Sequence, residues 1–302
     1  MKELQTTGQE FYKGLVVKIF FSESIFFQDG IDTSLYQIVY IEEGSVIIGS
    51  EGNERTILAP VVICLNYREN RRRISFSNVR GFTVFFRPEA INHGLIGAEI
   101  PGKRQFENYL ETEQLLIQPF IAGSAERPVV MSVNSMMRDR LLRIAENMKT
   151  QFYTQPDAYW PCRGRSFFLE LLMLIESMSK IEPANGIELK AADKTVEPFI
   201  RTIHLSYSDP DFSLKNLPLP NGLKRFPVAV AFKKATGKSM KRYLFDLRCD
   251  VAQNLLKNTL LSVEEIARRC GYREEGKFVT DFRRMNNVAP LAWRAQFPDP
   301  YG

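Results

Sequence analysis

Histidine is almost missing from this chain: of 302 residues only His93 and His204 are imidazoles. Protein metal centres with open positions usually draw on two or three clustered histidines with a carboxylate. One histidine falls in each half of the chain, so no two-histidine site forms within the N-terminal half, and no bound metal is expected. Cysteine is scarce too. Cys64, Cys162, Cys249 and Cys270 are scattered without a CxxC pair, so they read as small apolar fillers in a reducing compartment, not as a disulfide frame or a zinc site. There is no phosphate-cradling glycine loop and no nucleophile–His–Asp constellation, which leaves no expectation of catalysis or of a cofactor. Long apolar runs are missing as well. "SFFLELLMLIESM" (166–178) is too short and too charged to span a bilayer, and the opening "MKELQTTGQEFYKG" lacks the apolar core of a signal peptide. The expectation is a cytoplasmic protein with no membrane association.

What remains is an ordinary globular composition, 44% hydrophobic and 25% charged, on a chain long enough for two domains. Charge is unevenly spread. Residues 195–302 hold 18 Lys+Arg against 11 Asp+Glu, a net of +7, which leaves 22 against 24 for residues 1–194. A basic module joined to a near-neutral one points to a polyanionic partner for the C-terminal part.

Residues 10–88 read as β structure. "YKGLVVKIFF", "SLYQIVYIEE", "SVIIG", "RTILA", "VVICLN", "RISFS" and "GFTVFF" are short runs rich in Val, Ile, Tyr and Phe. Asp29-Gly30, Glu43-Gly44, Glu51-Gly52 and Arg80-Gly81 read as the turns between them. Many short strands at this spacing predict an antiparallel sandwich or barrel. The period then changes. "SMMRDRLLRIAENMKTQF" (135–152) puts Met137, Leu141, Ile144, Ala145 and Met148 on one helical face. A second helix, about 163–180, is apolar on nearly all sides and needs cover on both, either within the fold or at a subunit contact. "KIEPANGIELKAAD" (180–193) has no sustained period and reads as a linker. The expected division is 1–180, a linker at 181–194, and a helical domain at 195–302.

In that last domain, "SVEEIARRCGYREEGKFVTDFRR" (262–284) places Val263, Ile266, Ala267 and Cys270 at i, i+3, i+4 and i+7. Ser262 with Glu265 forms a capping-box pattern, and Gly271 stands where a helix stops in the left-handed region. Phe278, Phe282 and Met285 restart the helical spacing, and small Ala267 permits close approach of two backbones. The unit predicted is a helix-turn-helix. "FSLKNLPLPNGLKRFPVAVAFKKATG" (212–237) is a fainter second copy, with Val228 and Phe232 spaced like Phe278 and Phe282. "SMKRYLFDLRCDVAQNLLKN" (239–258) joins the two as one amphipathic helix, with Tyr243, Leu247, Val251, Ala252 and Leu255 on one face. Two such units about fifty residues apart suggest a bipartite reader of double-stranded DNA.

These residues resemble the AraC/XylS family of bacterial transcription regulators. The likeness is carried by Ile266-Ala267, Gly271-Tyr272, Phe278, Phe282-Arg283 and Pro290 within 261–294, and extends more weakly over 195–297. It implies sequence-specific DNA binding and regulation of transcription alongside RNA polymerase. It also implies that the N-terminal half is a cupin-like antiparallel β-barrel, sensing a small-molecule effector or a protein partner and forming a homodimer through the helical segment 135–180. The fold class expected is thus α+β. Asn287 stands where the family usually has glycine and Ala289 where it has Ser or Thr, while Thr280 replaces a frequent Arg and Gly276 sits inside the recognition helix, so the base preference of other members does not carry over.

In the second recognition helix the outward face carries Glu274, Glu275, Lys277, Thr280, Asp281 and Arg284. Residues at the start of such a helix reach base edges, where Glu274 or Glu275 suits cytosine N4, Lys277 suits guanine and Thr280 suits several bases. Arg283 and Arg284, deeper along the helix, suit phosphate. A solubilising role for Glu275 and Lys277 is the competing reading. In the first copy Pro218 and Pro220 should end the supporting helix near Leu217, and Ala229 and Val230 cannot hydrogen-bond a base. Lys224, Arg225, Lys233 and Lys234 are left for phosphates, and Phe226 or Ala229 for thymine methyls. The first copy should therefore anchor while the second reads. For an effector, Tyr36 and Tyr40 alternate onto one strand face with Ile38, and Phe20, Phe76 and Phe82 are candidate neighbours; core packing explains such aromatics equally. Arg68, clustered with Arg71, Arg72 and Arg73, suits an anionic ligand or acidic protein, or is a solvated loop.

Overall fold

Two long strands organise the N-terminal half of the computed structural model, which describes residues 5–25, 35–49, 55–66, 74–91, 111–122, 128–181, 187–189, 195–219 and 224–297. A small hairpin of β1 (Thr6–Thr7) and β2 (Val16–Val17) precedes β3 (Ile19–Ser22). β4 (Tyr36–Ile48), β5 (Arg55–Leu58), β6 (Val61–Leu65) and β7 (Ile74–Phe86) follow, all pairing antiparallel. β7 runs along one whole edge of β4; the other edge of β4 pairs first with β6 and then with β5. The sheet divides where β4 changes register, between Ile41 and Ser45.

That bend corrects two of the expected turns. Glu43-Gly44 lies inside β4 and Arg80-Gly81 inside β7, so four of the predicted short runs are two long strands. Gly44, with φ +91°, serves the bulge. Gly81 serves a close approach, because a Cβ there would lie 1.9 Å from the Tyr40 carbonyl oxygen. Asp29-Gly30 and Glu51-Gly52 lie outside the described residues.

Alternation along β4 decides what each face meets. Tyr36, Ile38 and Tyr40 join Val84, Phe82 and Phe86 against helices, whereas Val39 and Ile41 join Val46, Ile48, Ile57 and Ile63 on the other face. The second cluster draws on both sides of the bend, so the sheet rolls onto itself. It does not close into a barrel among the described residues, which corrects the barrel expectation; what stands is an antiparallel sheet in an α+β fold.

α1 (Glu111–Ile121) and β8 (Val129–Ser132), which pairs antiparallel beside β6, lead to α2 (Ser135–Lys149). Asn134 caps α2 by accepting from the Met137 amide at 3.0 Å, and the five apolar residues expected on its face are buried. A π-helical turn (Thr150–Thr154) leads to α3 (Trp160–Ile181). α3 packs against α1, α2 and a helix of the C-terminal half, which accounts for its apolar circumference. The segment read as a linker is not featureless: β9 (Ile187–Leu189) adds to the sheet beside β5. No helix among the described residues is long and apolar enough to cross a membrane.

The C-terminal half is helical: α4 (Glu197–Ser206), a 3-10 turn (Leu214–Asn216), α5 (Arg225–Thr236), α6 (Met240–Asn258), α7 (Val263–Arg269), α8 (Glu275–Asn286) and α9 (Pro290–Arg294). Its core gathers around α6 and also takes in Leu58 and Ile181 from the N-terminal half. Polar contacts cross the same boundary. Asn254 and Asn258 of α6 donate to the Ile181 and Lys180 carbonyls at 3.0 and 2.6 Å, Asn134 donates to the Tyr207 hydroxyl at 3.0 Å, and Arg201 pairs with Glu43 at 3.4 Å.

Candidate nucleic-acid interface

α7 starts as its sequence dictates: the Ser262 hydroxyl accepts from the Glu265 amide at 3.1 Å. The Glu265 carboxylate does not turn back but pairs with Arg268 and Arg269. Buried Ile266 and Ala267 seat the helix on the core. Gly271 then takes φ +76°, with no room for a side chain: a Cβ would lie 2.1 Å from the Tyr207 carbonyl oxygen. α8 crosses beyond this turn on buried Phe278 and Phe282, with Tyr272 edge-on to Phe278 at 5.4 Å between ring centres. Asn287 ends α8 at φ +61°.

The face of α8 away from this core presents Glu274, Glu275, Gly276, Lys277, Thr280, Arg283 and Arg284 to solvent, with Asp281 half-buried. Thr280 spends its hydroxyl hydrogen on the Gly276 carbonyl at 2.9 Å, so toward a base it offers an acceptor and a methyl group. Gly276 has open space where a Cβ would stand.

The first unit has the short supporting element expected before Pro218, while Pro220 lies outside the described residues. Its supporting element is the single 3-10 turn, capped by the Ser213 hydroxyl and ended at Leu217. α5 matches α8 in length and is anchored by Val228, Phe232 and Ala235. Lys224, Phe226, Ala229, Lys233 and Lys234 are exposed, and Phe226 stands 79% in solvent at the start of the helix. Arg225 is exposed but occupied: its guanidinium donates to the Leu214 and Lys215 carbonyls and holds the short turn to α5.

A cavity of about 480 Å³ lies between α6 and α8. Lys241, Arg242, Phe245 and Arg248 line it from α6; Lys277, Asp281 and Arg284 line it from α8. Sequence reasoning placed Arg284 with Arg283 on phosphate but missed the α6 residues, because it treated α6 as a connector. The available signal was Phe245, an aromatic off the helix's apolar face, preceded by Lys241-Arg242.

A second cavity, about 380 Å³, opens at the junction of the two halves. Its walls include Met136, Met137 and Ile181 on one side, and Tyr207, Val251, Leu255, Glu265, Arg268 and Arg269 on the other. The aromatic residues singled out for an effector lie elsewhere. Tyr36, Tyr40 and Phe82 are buried in the helix-facing core, where Tyr36 stacks on Phe86 at 5.6 Å and Tyr40 tilts on Phe82 at 5.2 Å. Phe20 lies against Phe85, on the sheet's other face. Burial fits the packing reading of this group. Phe76 belongs to β7, but its side chain, like Arg68, Arg71, Arg72, Arg73 and His93, is outside the described residues. His204 is buried at 3.0 Å from the Tyr243 hydroxyl, and burial holds its pKa down to about 3, so it is a neutral packing residue. Among the described residues no three His, Cys, Asp or Glu side chains gather as a metal site would need.

Residues 222–296 match the helix-turn-helix domain family. The transcriptional activator RhaR of Cronobacter sakazakii is 29% identical over 141 residues, covering 47% of this chain and 49% of RhaR. The activator RhaS of Salmonella schwarzengrund is 32% identical over 126 residues, 41% of this chain and 42% of its own. The chain thus spans about half the length of the curated relatives it matches. Among solved structures, the C-terminal domain of AraT, a response regulator from Geobacillus stearothermophilus, is 25% identical with a TM-score of 0.35, over 36% of this chain and 92% of that one. The matched segment spans α5 to α9, so this part of the chain is a helix-turn-helix module of the AraC type, and the likeness to AraC-family regulators rests on it.

Proposed function

We propose that the chain is a transcription regulator that binds double-stranded DNA sequence-specifically through α8 and anchors through α5. The observation that carries this reading is the exposed start of α8, where Glu274, Glu275 and Lys277 stand clear of the core on a helix fixed by Phe278 and Phe282. Base contacts come from the first turns of a recognition helix, and phosphate contacts position it. Selection of bound sites from random duplex DNA with the full chain tests this. A recovered operator should lose about 1–3 kcal/mol per mismatch in the half-site under α8 and much less under α5. Recovery of no common sequence, or equal losses in both halves, would refute it.

The N-terminal half is the sensor in this reading, with residues 1–180 regulatory and 195–302 DNA-binding. The junction cavity supports a small-molecule effector: it touches both halves and the supporting helix α7, so an occupant would bias how they dock. Thermal stability of the full chain against a metabolite library separates this from control by a protein partner, since a ligand at 100 times its Kd stabilises by about 2.7 kcal/mol. Met136, Tyr153, Tyr159 and Met173, exposed on the 135–180 segment, support homodimerisation there, which sedimentation would read. Contact with RNA polymerase belongs to the same reading; the relatives are named only as transcriptional activators.

A further inference from the structure

The cavity between α6 and α8 is a concentration of positive charge with one ordered feature at its centre. The Phe245 ring has the Arg242 guanidinium over it at 5.6 Å and the Arg284 guanidinium over it at 4.9 Å. Both guanidiniums are held from other sides as well. Arg242 Nε pairs with the Asp246 carboxylate at 2.7 Å, and its Nη2 meets Met285 Sδ at 3.2 Å. Arg284 pairs with Asp281 at 3.2 Å. Each arginine is nevertheless more than half exposed. Lys241 and Lys277 stand on the rim, while Arg248 is committed to the Tyr207 and Asp209 carbonyls. Two flexible cations have thus been fixed on a common aromatic before any ligand arrives.

Guanidinium groups resting on a ring keep N–H donors in the plane and lose less freedom on binding than free side chains. A phosphate can use such donors in pairs. We propose that Arg242, Phe245 and Arg284 form a clamp for one phosphodiester group of the duplex backbone, assigned to the connecting helix α6 as much as to α8. The site rests on the DNA-binding reading above and deepens it. Among the described residues Asp281 is the only carboxylate lining the cavity, and it occupies Arg284 until a phosphate displaces it. Phe245 is a positioning residue: it touches no phosphate and acts through the two arginines.

The test is equilibrium binding of the full chain to a selected duplex at several salt concentrations, with far-UV circular dichroism confirming the fold of each variant. Arg242→Gln should weaken binding about tenfold at 150 mM salt. It should also reduce the slope of log K against log salt by about 0.9, the loss of one phosphate contact, equally for every sequence. Phe245→Leu keeps both charges, so the slope should stay while affinity drops severalfold. Arg242→Lys, which cannot lie flat on a ring, should behave like Phe245→Leu and carries the test if the glutamine variant misfolds. A wild-type slope and affinity for Arg242→Gln, or unchanged affinity for the other two, would overturn the clamp while leaving the DNA-binding reading standing. A wild-type chain that binds no duplex would overturn both.

Discussion

Two glycines in the C-terminal half take nearly the same left-handed backbone yet differ in what surrounds them, and this makes them a controlled pair. Gly237 ends α5 at φ +75° with nothing within 4 Å of where a Cβ would stand. Gly271, in the turn between α7 and α8, has φ +76°, but its Cβ would lie 2.1 Å from the Tyr207 carbonyl oxygen and 2.6 Å from Arg248 Nη2. That oxygen cannot retreat freely, because Arg248 Nε donates to it at 2.9 Å. Gly237→Ala should therefore cost only the left-handed conformation, about 1–2 kcal/mol. Gly271→Ala should cost the same plus a charge-assisted hydrogen bond of about 1.5–3 kcal/mol, about 2.5–5 kcal/mol in all. Gly271→Asn, which tolerates the conformation but not the contact, should keep most of the loss. Urea unfolding followed by tryptophan fluorescence, from Trp160 and Trp293, reads the three differences. Equal losses for Gly237→Ala and Gly271→Ala would show that the close approach to Tyr207 carries no energy and would refute the argument.

Three further outcomes follow from the same geometry. His204 is neutral in the folded state and charges below about pH 6.5 when unfolded, so the unfolded chain binds the extra proton and stability falls as pH drops from about 6.5 toward 3, by up to about 1.4 kcal/mol per pH unit; His204→Gln should remove that part of the slope, and superimposable profiles would refute it. Gly276→Ala, in open space on the first turn of α8, should stabilise the free protein by up to about 1 kcal/mol yet weaken DNA binding if that turn enters the groove; unchanged affinity would place the turn away from DNA. Lys277→Ala should relax preference at one base pair by about 1–3 kcal/mol, and a loss shared by every sequence would move Lys277 from base to backbone.

The helical half was legible because its signals are local. Ser262 caps, Gly271 turns, Asn287 stops α8, and Phe278 and Phe282 face inward, each for a reason contained within one turn of chain. The sheet was less so. Gly44 and Gly81 look like turn residues to a local reading, but their roles are set by strands paired across dozens of residues. Ile187–Leu189 becomes a strand only because β5 offers it an edge. Alternation correctly joined Tyr36 with Tyr40, yet could not say whether that face meets a ligand or a helix; Phe120 and Phe168 answer for the helices. The clamp escaped notice for the same reason, since Arg242 and Arg284 meet only after α6 and α8 pack.

The last two carbonyls of α3 are satisfied by two asparagines of the C-terminal half. Helix ends left without partners must find water or unwind. Removing α6 from this boundary would strip α3 of the donors on Lys180 and Ile181 and would uncover Leu58 and Ile181 together. Loss of the C-terminal half should thus propagate backward into the N-terminal half as a frayed helix, so that heating or denaturant melts the two halves in a linked transition and not as independent beads.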